Sequence, residues 1–293
     1  MKLQKLLCVR PDDIKRFILY RTMMTSSWQG YAHKKINNNN KLHFIHIGKC
    51  GGTSLVNFFK QKGIEYKQSH LKRPDLFEPN QRYIIWIRDP LNRFISAFNH
   101  SKEIVNFDIS QLKGKMPSIH NCQAPQRIEL KIKRGYAYEK DYEYLINRFE
   151  SANHLAESLT GFDSGAKKDA KKLMLHRTEH IYKSIGWYLD NGEFVKHFYQ
   201  QIEFVGSLEN MNEDLNALLN ILDANFNREY QIPHLRKNQI DIPKSLSSKA
   251  RNNLYEFYKE TDYKAIESLV DHDLLDLKVL EDYKRFAENN YKE

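Results

Sequence analysis

Cysteine is scarce in this chain: Cys8, Cys50 and Cys122 are the only three in 293 residues. An odd count without metal-like spacing argues against a disulfide framework and points to a reducing compartment. No stretch is apolar enough to span a membrane. The start, Met1-Lys-Leu-Gln-Lys-Leu-Leu-Cys-Val-Arg10, is too short and too charged for a signal peptide, so a cytoplasmic protein is expected. Zinc-finger spacing, an aromatic RNA-binding motif and a basic zipper are all missing, and no internal repeat is evident. The basic residues are scattered rather than blocked, which argues against nucleic acid as the partner.

What is present is an ordinary length for one α/β domain, enough to bury a substantial core. The net charge of +9 and a pI near 9.2 call for an anionic partner. The run His43-Phe-Ile-His-Ile-Gly-Lys-Cys-Gly-Gly-Thr-Ser-Leu55 reads as an apolar strand, a glycine-rich turn carrying one lysine, and a helix start. Gly51 and Gly52 permit a tight turn and close approach to a ligand. Thr53 or Ser54 is expected to cap a helix whose first N–H groups attract phosphate or sulfate. A nucleoside-triphosphate loop needs G-x-x-x-x-G-K-[ST]; here Lys49 precedes the glycine pair, so the loop is of another kind.

Arg82-Tyr-Ile-Ile-Trp-Ile-Arg88 reads as a second buried strand, followed by Asp-Pro-Leu-Asn-Arg-Phe-Ile-Ser-Ala-Phe98. Pro90 suits a first helical turn, on which Arg93 and Ser96 share a face. The two arginines Arg88 and Arg93 and the hydroxyl of Ser96 make a second anion pocket, with Arg88 and Ser96 beside the first loop if the two strands are neighbours in one parallel sheet. Arg93 is either a third contact or a structural ion-pair partner. Strands at 42–47, 64–69, 82–88 and 202–206 alternating with helices predict a central parallel sheet flanked by helices, a three-layer α/β fold related to P-loop folds. A helix over Asp12 to Met24 and a linker at Asn37 to Asn40 make residues 1–40 an arm and 41–293 the domain.

The chain resembles the sulfotransferases that use 3′-phosphoadenosine 5′-phosphosulfate (PAPS), especially Golgi glycan sulfotransferases and their bacterial relatives. The first loop is similar to that family's 5′-phosphosulfate loop, H-I-P-K-T-G-G-T-S, and Arg88 to Ser96 to its 3′-phosphate motif, R-D-P-x-x-R-[FL]-x-S. Phe204-Val-Gly-Ser-Leu-Glu209 and Pro233-His-Leu-Arg-Lys-Asn238 extend the likeness, which runs from Leu42 to Leu269. Gly48 stands where the family usually has proline and Cys50 where it has threonine. The glycine loosens the loop, and a thiol is a weaker hydrogen-bonding group than a hydroxyl. Beside Lys49 and a helix N-terminus, Cys50 is either a thiol of lowered pKa or a small space-filling residue.

The resemblance implies PAPS as donor, with Lys49, Cys50, Gly51, Gly52, Thr53 and Ser54 around its 5′ end, Arg88 and Ser96 at its 3′-phosphate, and Arg236 and Lys237 closing over it beside His234 and Asn238. It implies transfer to an acceptor hydroxyl on a saccharide, glycolipid or small metabolite, release of the bisphosphate PAP, and no metal. Lys49 would stabilise the leaving phosphate, and His70, after the second strand, would be the base, with His100 and His120 as weaker candidates. The middle, Lys102 to Tyr199, is helical in tone and would build the acceptor side. Within it, His176-Arg-Thr-Glu-His180 matches H-x-x-E-H spacing, with both histidines expected on one helical face, but lacks an identifiable third ligand. A nucleotide-dependent kinase and a noncatalytic anion or glycan binder are the alternatives on the same fold.

Overall fold

The computed structural model describes residues 11–23, 41–76, 81–106, 140–177, 180–222 and 245–288. Four strands, β1 (Lys41–Ile45), β2 (Lys67–Ser69), β3 (Gln81–Ile87) and β4 (Ile202–Ser207), form one sheet in the order β2-β1-β3-β4, and every pairing is parallel. Parallel strands need crossovers. Helix α1 (Pro11–Met23) precedes β1, α2 (Gly52–Gln61) lies between β1 and β2, and α3 (Pro90–Val105) follows β3.

Between α3 and β4 come α4 (Lys140–Asn147), α5 (Ala152–Ser158), α6 (Ser164–Met174), α7 (Ile185–Tyr188) and α8 (Glu193–Phe198). After β4 follow α9 (Met211–Ile221), α10 (Ser248–Tyr258), a π-helical turn at Lys259–Tyr263, α11 (Lys264–Asp271) and α12 (Leu277–Glu288).

Strand alternation divides the core in two. Leu42, Phe44, Ile84 and Trp86 pack with Leu55, Phe58 and Phe59 of α2 and Leu215, Leu218 and Leu219 of α9. Ile45, Tyr83, Ile85 and Ile87 face the larger core, with Phe94 and Phe98 of α3, Phe194 of α8 and Leu254 of α10. These are the three layers the apolar strands require, because a sheet buried on both faces must be covered on both.

The expected second strand is shortened. Gly63 has φ +66 and Ile64 N donates to Phe59 O at 2.9 Å, so Ile64 to Tyr66 finish the exit from α2 and pairing begins at Lys67. β1 likewise stops at Ile45, where Ile47 N turns back to Ile45 O at 2.9 Å.

Helix α1 is tied down by ions and one ring. Arg16 donates to Asp190 at 2.6 Å and to Pro74 O at 2.9 Å, Arg73 bridges Asp190 and Asp13, and Tyr20 is buried in the larger core. Among the described residues no helix is long and apolar enough to cross a membrane.

Candidate functional site

The order β2-β1-β3-β4 sends the chain one way from β1 and the other way from β3, so the loops leaving these adjacent strands flank the switch point where parallel sheets bind ligands. The loop after β1 holds two left-handed residues, Lys49 at φ 73 and Gly51 at φ 81. Gly51 adopts this freely; for Lys49 it costs about 1 kcal/mol, the kind of strain that persists where a ligand is clamped.

The N-cap of α2 is Gly51, which makes no side-chain cap bond, so neither Thr53 nor Ser54 caps the helix as expected; both lie within its first turn. Ser54 N donates to Gly51 O at 2.9 Å and is spent inside that turn. The amides of Gly51, Gly52 and Thr53 have no such internal backbone partner among the described residues.

Cys50 takes the space-filling role. It is wholly buried, its amide turns back to Ile47 O at 3.4 Å, and its Sγ lies 3.9 Å from Gly48 O. The lowered pKa is not found: burial pushes the thiol up to about 12 despite Arg93 and Arg88 nearby. Neither thiol nor amide is held ready for an anion.

Arg88, at the end of β3, joins the two loops by donating from Nη1 to Lys49 O at 3.4 Å. Its Nε is buried with no hydrogen-bond partner among the described residues. Ser96 is half-exposed on α3, whereas Arg93 is fully buried, donating to His180 O at 2.8 Å with its guanidinium 6.0 Å from the Tyr258 ring centroid. Asp262 is its charged neighbour. Arg93 thus has structural partners in the His180 carbonyl and the Tyr258 ring, while its Nε and Nη2 are buried without a hydrogen-bond partner among the described residues, the same mark that Arg88 Nε bears.

Asp89 caps α3, accepting from Asn92 N at 2.7 Å through Oδ1, while its Oδ2 is buried without a partner among the described residues. Burial, with Glu209 nearby and Arg88 opposing, raises its pKa to about 7. Glu209, on the loop after β4, accepts from Asp89 N at 3.2 Å and from the Tyr283 hydroxyl at 2.7 Å, so α12 docks at this sheet end.

His70 directly follows β2, whose end is fixed by His43 Nε2 against Ser69 Oγ at 2.8 Å. It is exposed, and its Nδ1–H donates to His46 O at 3.4 Å, which leaves Nε2 to carry the basic lone pair. Its ring lies 4.1 Å from that of His46 and 5.6 Å from that of His180; His180 in turn lies 5.6 Å from His100.

Lys49, His70 and His100 all act electrostatically on His180, which burial holds well below the usual imidazole range. The loops thus meet around one buried ring. Tyr188 holds the loop after β2 from behind: its hydroxyl oxygen accepts from Leu71 N at 3.0 Å, with the Gly48 backbone close by. A cavity of about 370 Å³ begins at Leu71 and is lined by Lys72, Arg73, Asp75 and Trp187 with Lys15 and Arg16 of α1.

The H-x-x-E-H expectation fails locally. α6 ends at Met174; His176 then packs on Tyr142 at 5.0 Å while His180 turns under the β1 loop, so the pair does not share a helical face. Among the described residues no three of His, Cys, Asp and Glu converge on a metal position. Arg236, Lys237, His234, Asn238, His120 and the Asn37 to Asn40 linker lie outside the described residues.

Sequence reasoning overlooked His46, His180 as part of this cluster, and Tyr188. His46 stood inside the quoted loop motif, three residues before Lys49, and was the one available signal. The other two reach the loop only through tertiary packing.

A parallel sheet with a lysine-bearing glycine loop after one central strand and an arginine after its neighbour defines a nucleotide- or anion-binding α/β protein. Within that class the chain belongs to the sulfotransferase family, whose model matches residues 32–284, most of its length. Its general chemistry is therefore sulfuryl transfer. No curated protein and no solved structure matches the chain.

Proposed function

We propose that this protein transfers the sulfuryl group of PAPS to an acceptor hydroxyl on a saccharide, glycolipid or hydroxylated small molecule, releasing PAP, in a reducing, cytoplasmic setting. The observation that carries this reading is the pairing of the left-handed Lys49 loop with Arg88, whose buried Nε has no hydrogen-bond partner among the described residues. A buried guanidinium N–H costs free energy until an acceptor meets it, and a phosphate is its best geometric match. The residues present fit the donor: amides of Gly51, Gly52 and Thr53 for the 5′ end, Arg88 and half-exposed Ser96 for the 3′-phosphate.

In the reaction the acceptor oxygen forms a bond to sulfur as the bond from sulfur to the 5′-phosphate oxygen breaks. Lys49 stabilises charge gathering on that phosphate, and His70 Nε2 receives the hydroxyl proton. The acceptor is assigned to the side of His70 that continues through Leu71 into the cavity, whose volume suits a small ligand and whose lining mixes both charges with an indole.

Transfer from labelled PAPS to sugars, glycolipids and hydroxylated metabolites tests this. Wild type should label an acceptor without added metal. Lys49→Ala should lower turnover by about 10²- to 10³-fold, His70→Ala should abolish turnover with PAP affinity intact, and Lys72→Ala should raise the acceptor KM alone. Turnover within a fewfold of wild type in Lys49→Ala and His70→Ala would remove both from the chemistry.

A further inference from the structure

Gly48 has no room for a side chain. A β-carbon there would lie 2.1 Å from His180 Nδ1, 2.6 Å from Cε1 and 2.9 Å from Cγ, so the imidazole ring is pressed against the glycine. The same happens at Gly52, where a β-carbon would lie 2.1 Å from His46 Cδ2 and 2.2 Å from Nε2. The loop therefore runs between two imidazoles, with the His70 ring beside both.

His180 is itself fixed. It is 6% exposed, its carbonyl accepts from the wholly buried Arg93, and its ring abuts that of His100. Burial beside Lys49 and Arg93 favours the neutral ring, so it packs as an uncharged plate.

We propose that His180 is a positioning residue for the anion loop, its ring supplying from outside the rigidity that a proline at position 48 supplies in the resembling loops. The glycine at 48 and the histidine at 180 form a matched pair: the ring occupies the volume the loop residue gave up, and a loop that would otherwise pay more ordering entropy on binding is held in its bound shape. His180 touches neither donor nor acceptor in this role; it acts through the backbone of Gly48 and Lys49. The inference rests on the reading of this loop as the donor-phosphate site.

The test is PAP affinity by calorimetry, with a melting temperature for each protein, across wild type, His180→Ala, His180→Phe, Gly48→Ala and the double variant Gly48→Ala/His180→Ala. Losing the ring should weaken PAP binding about tenfold, while phenylalanine, which keeps a ring, should stay within about threefold. Gly48→Ala should weaken binding at least as much as loss of the ring, and the double variant should bind better than Gly48→Ala alone, because the methyl group then sits in the space the ring has left.

A merely structural role would lower melting temperatures without this crossed pattern in affinity. His180→Ala binding PAP like wild type, or a double variant no better than Gly48→Ala, overturns the proposal. If Gly48→Ala does not fold, the contrast between His180→Ala and His180→Phe decides alone. Wild type that fails to bind PAP removes the donor-site reading itself, a result distinct from wild type that binds while the crossed pattern is absent.

Discussion

Asp89 serves as a helix cap and yet is buried beside Glu209 with one carboxylate oxygen unbonded among the described residues. Its pKa rises from 3.8 to about 7. Between those values the folded chain holds a proton that the unfolded chain releases, so this group's contribution to stability falls as pH rises from about 4 to about 7. Each unit of such a shift corresponds to about 1.4 kcal/mol. Asp89→Asn keeps a cap oxygen for Asn92 N and removes the titration. Denaturant unfolding across that window should therefore show a flatter pH dependence in the variant than in wild type. Equal slopes would mean that Asp89 is ionised in the fold throughout.

At this scale the sequence was legible where chemistry is local. Lys49, Gly51, Gly52 and Arg88 follow from a loop motif and a strand end, and the structure brings Lys49 and Arg88 together. Cys50 was harder: the choice between a reactive thiol and a space-filler depends on burial, which a lysine next door does not reveal. Arg93 and Ser96 share a helical face in the pattern, yet one is buried under Tyr258 and the other is half-exposed.

Among the elements, strands with uninterrupted apolar runs were readable, and β3 and β4 lie close to the expected positions. β2 was overestimated because the apolar Ile64 and Tyr66 serve the exit of α2 rather than the ladder. The H-x-x-E-H spacing implied one helix, whereas α6 stops at Met174 and the chain turns to deliver His180 to the β1 loop. Helix α7 is only four residues long, but Tyr188 at its end holds the loop that follows β2. Tyr188→Phe leaves the part-buried Leu71 amide without its acceptor, a loss of about 1 kcal/mol. The variant should melt lower and turn over more slowly, since the loop bearing His70 loses its hydrogen bond to α7. A melting curve and a transfer rate equal to wild type would show that the hydroxyl holds nothing of consequence.

For the whole molecule, the order β2-β1-β3-β4 matters more than any single helix. It sets the lysine loop and Arg88, just after β3, side by side at the place where the sheet's connections diverge. The parallel, doubly covered sheet was legible from alternating strands and helices, and the sulfotransferase family match over residues 32–284 agrees with it. The pairing of β1 with β3 was an assumption in the sequence and is a fact of the fold.

The identity of the donor is the claim on which the rest depends. It is tested most directly by calorimetric binding of PAP, ADP and ATP to wild type and to Arg88→Ala. Selective binding of PAP that disappears in Arg88→Ala is the predicted result. ATP binding as well as or better than PAP, above all with a requirement for magnesium, would contradict the account.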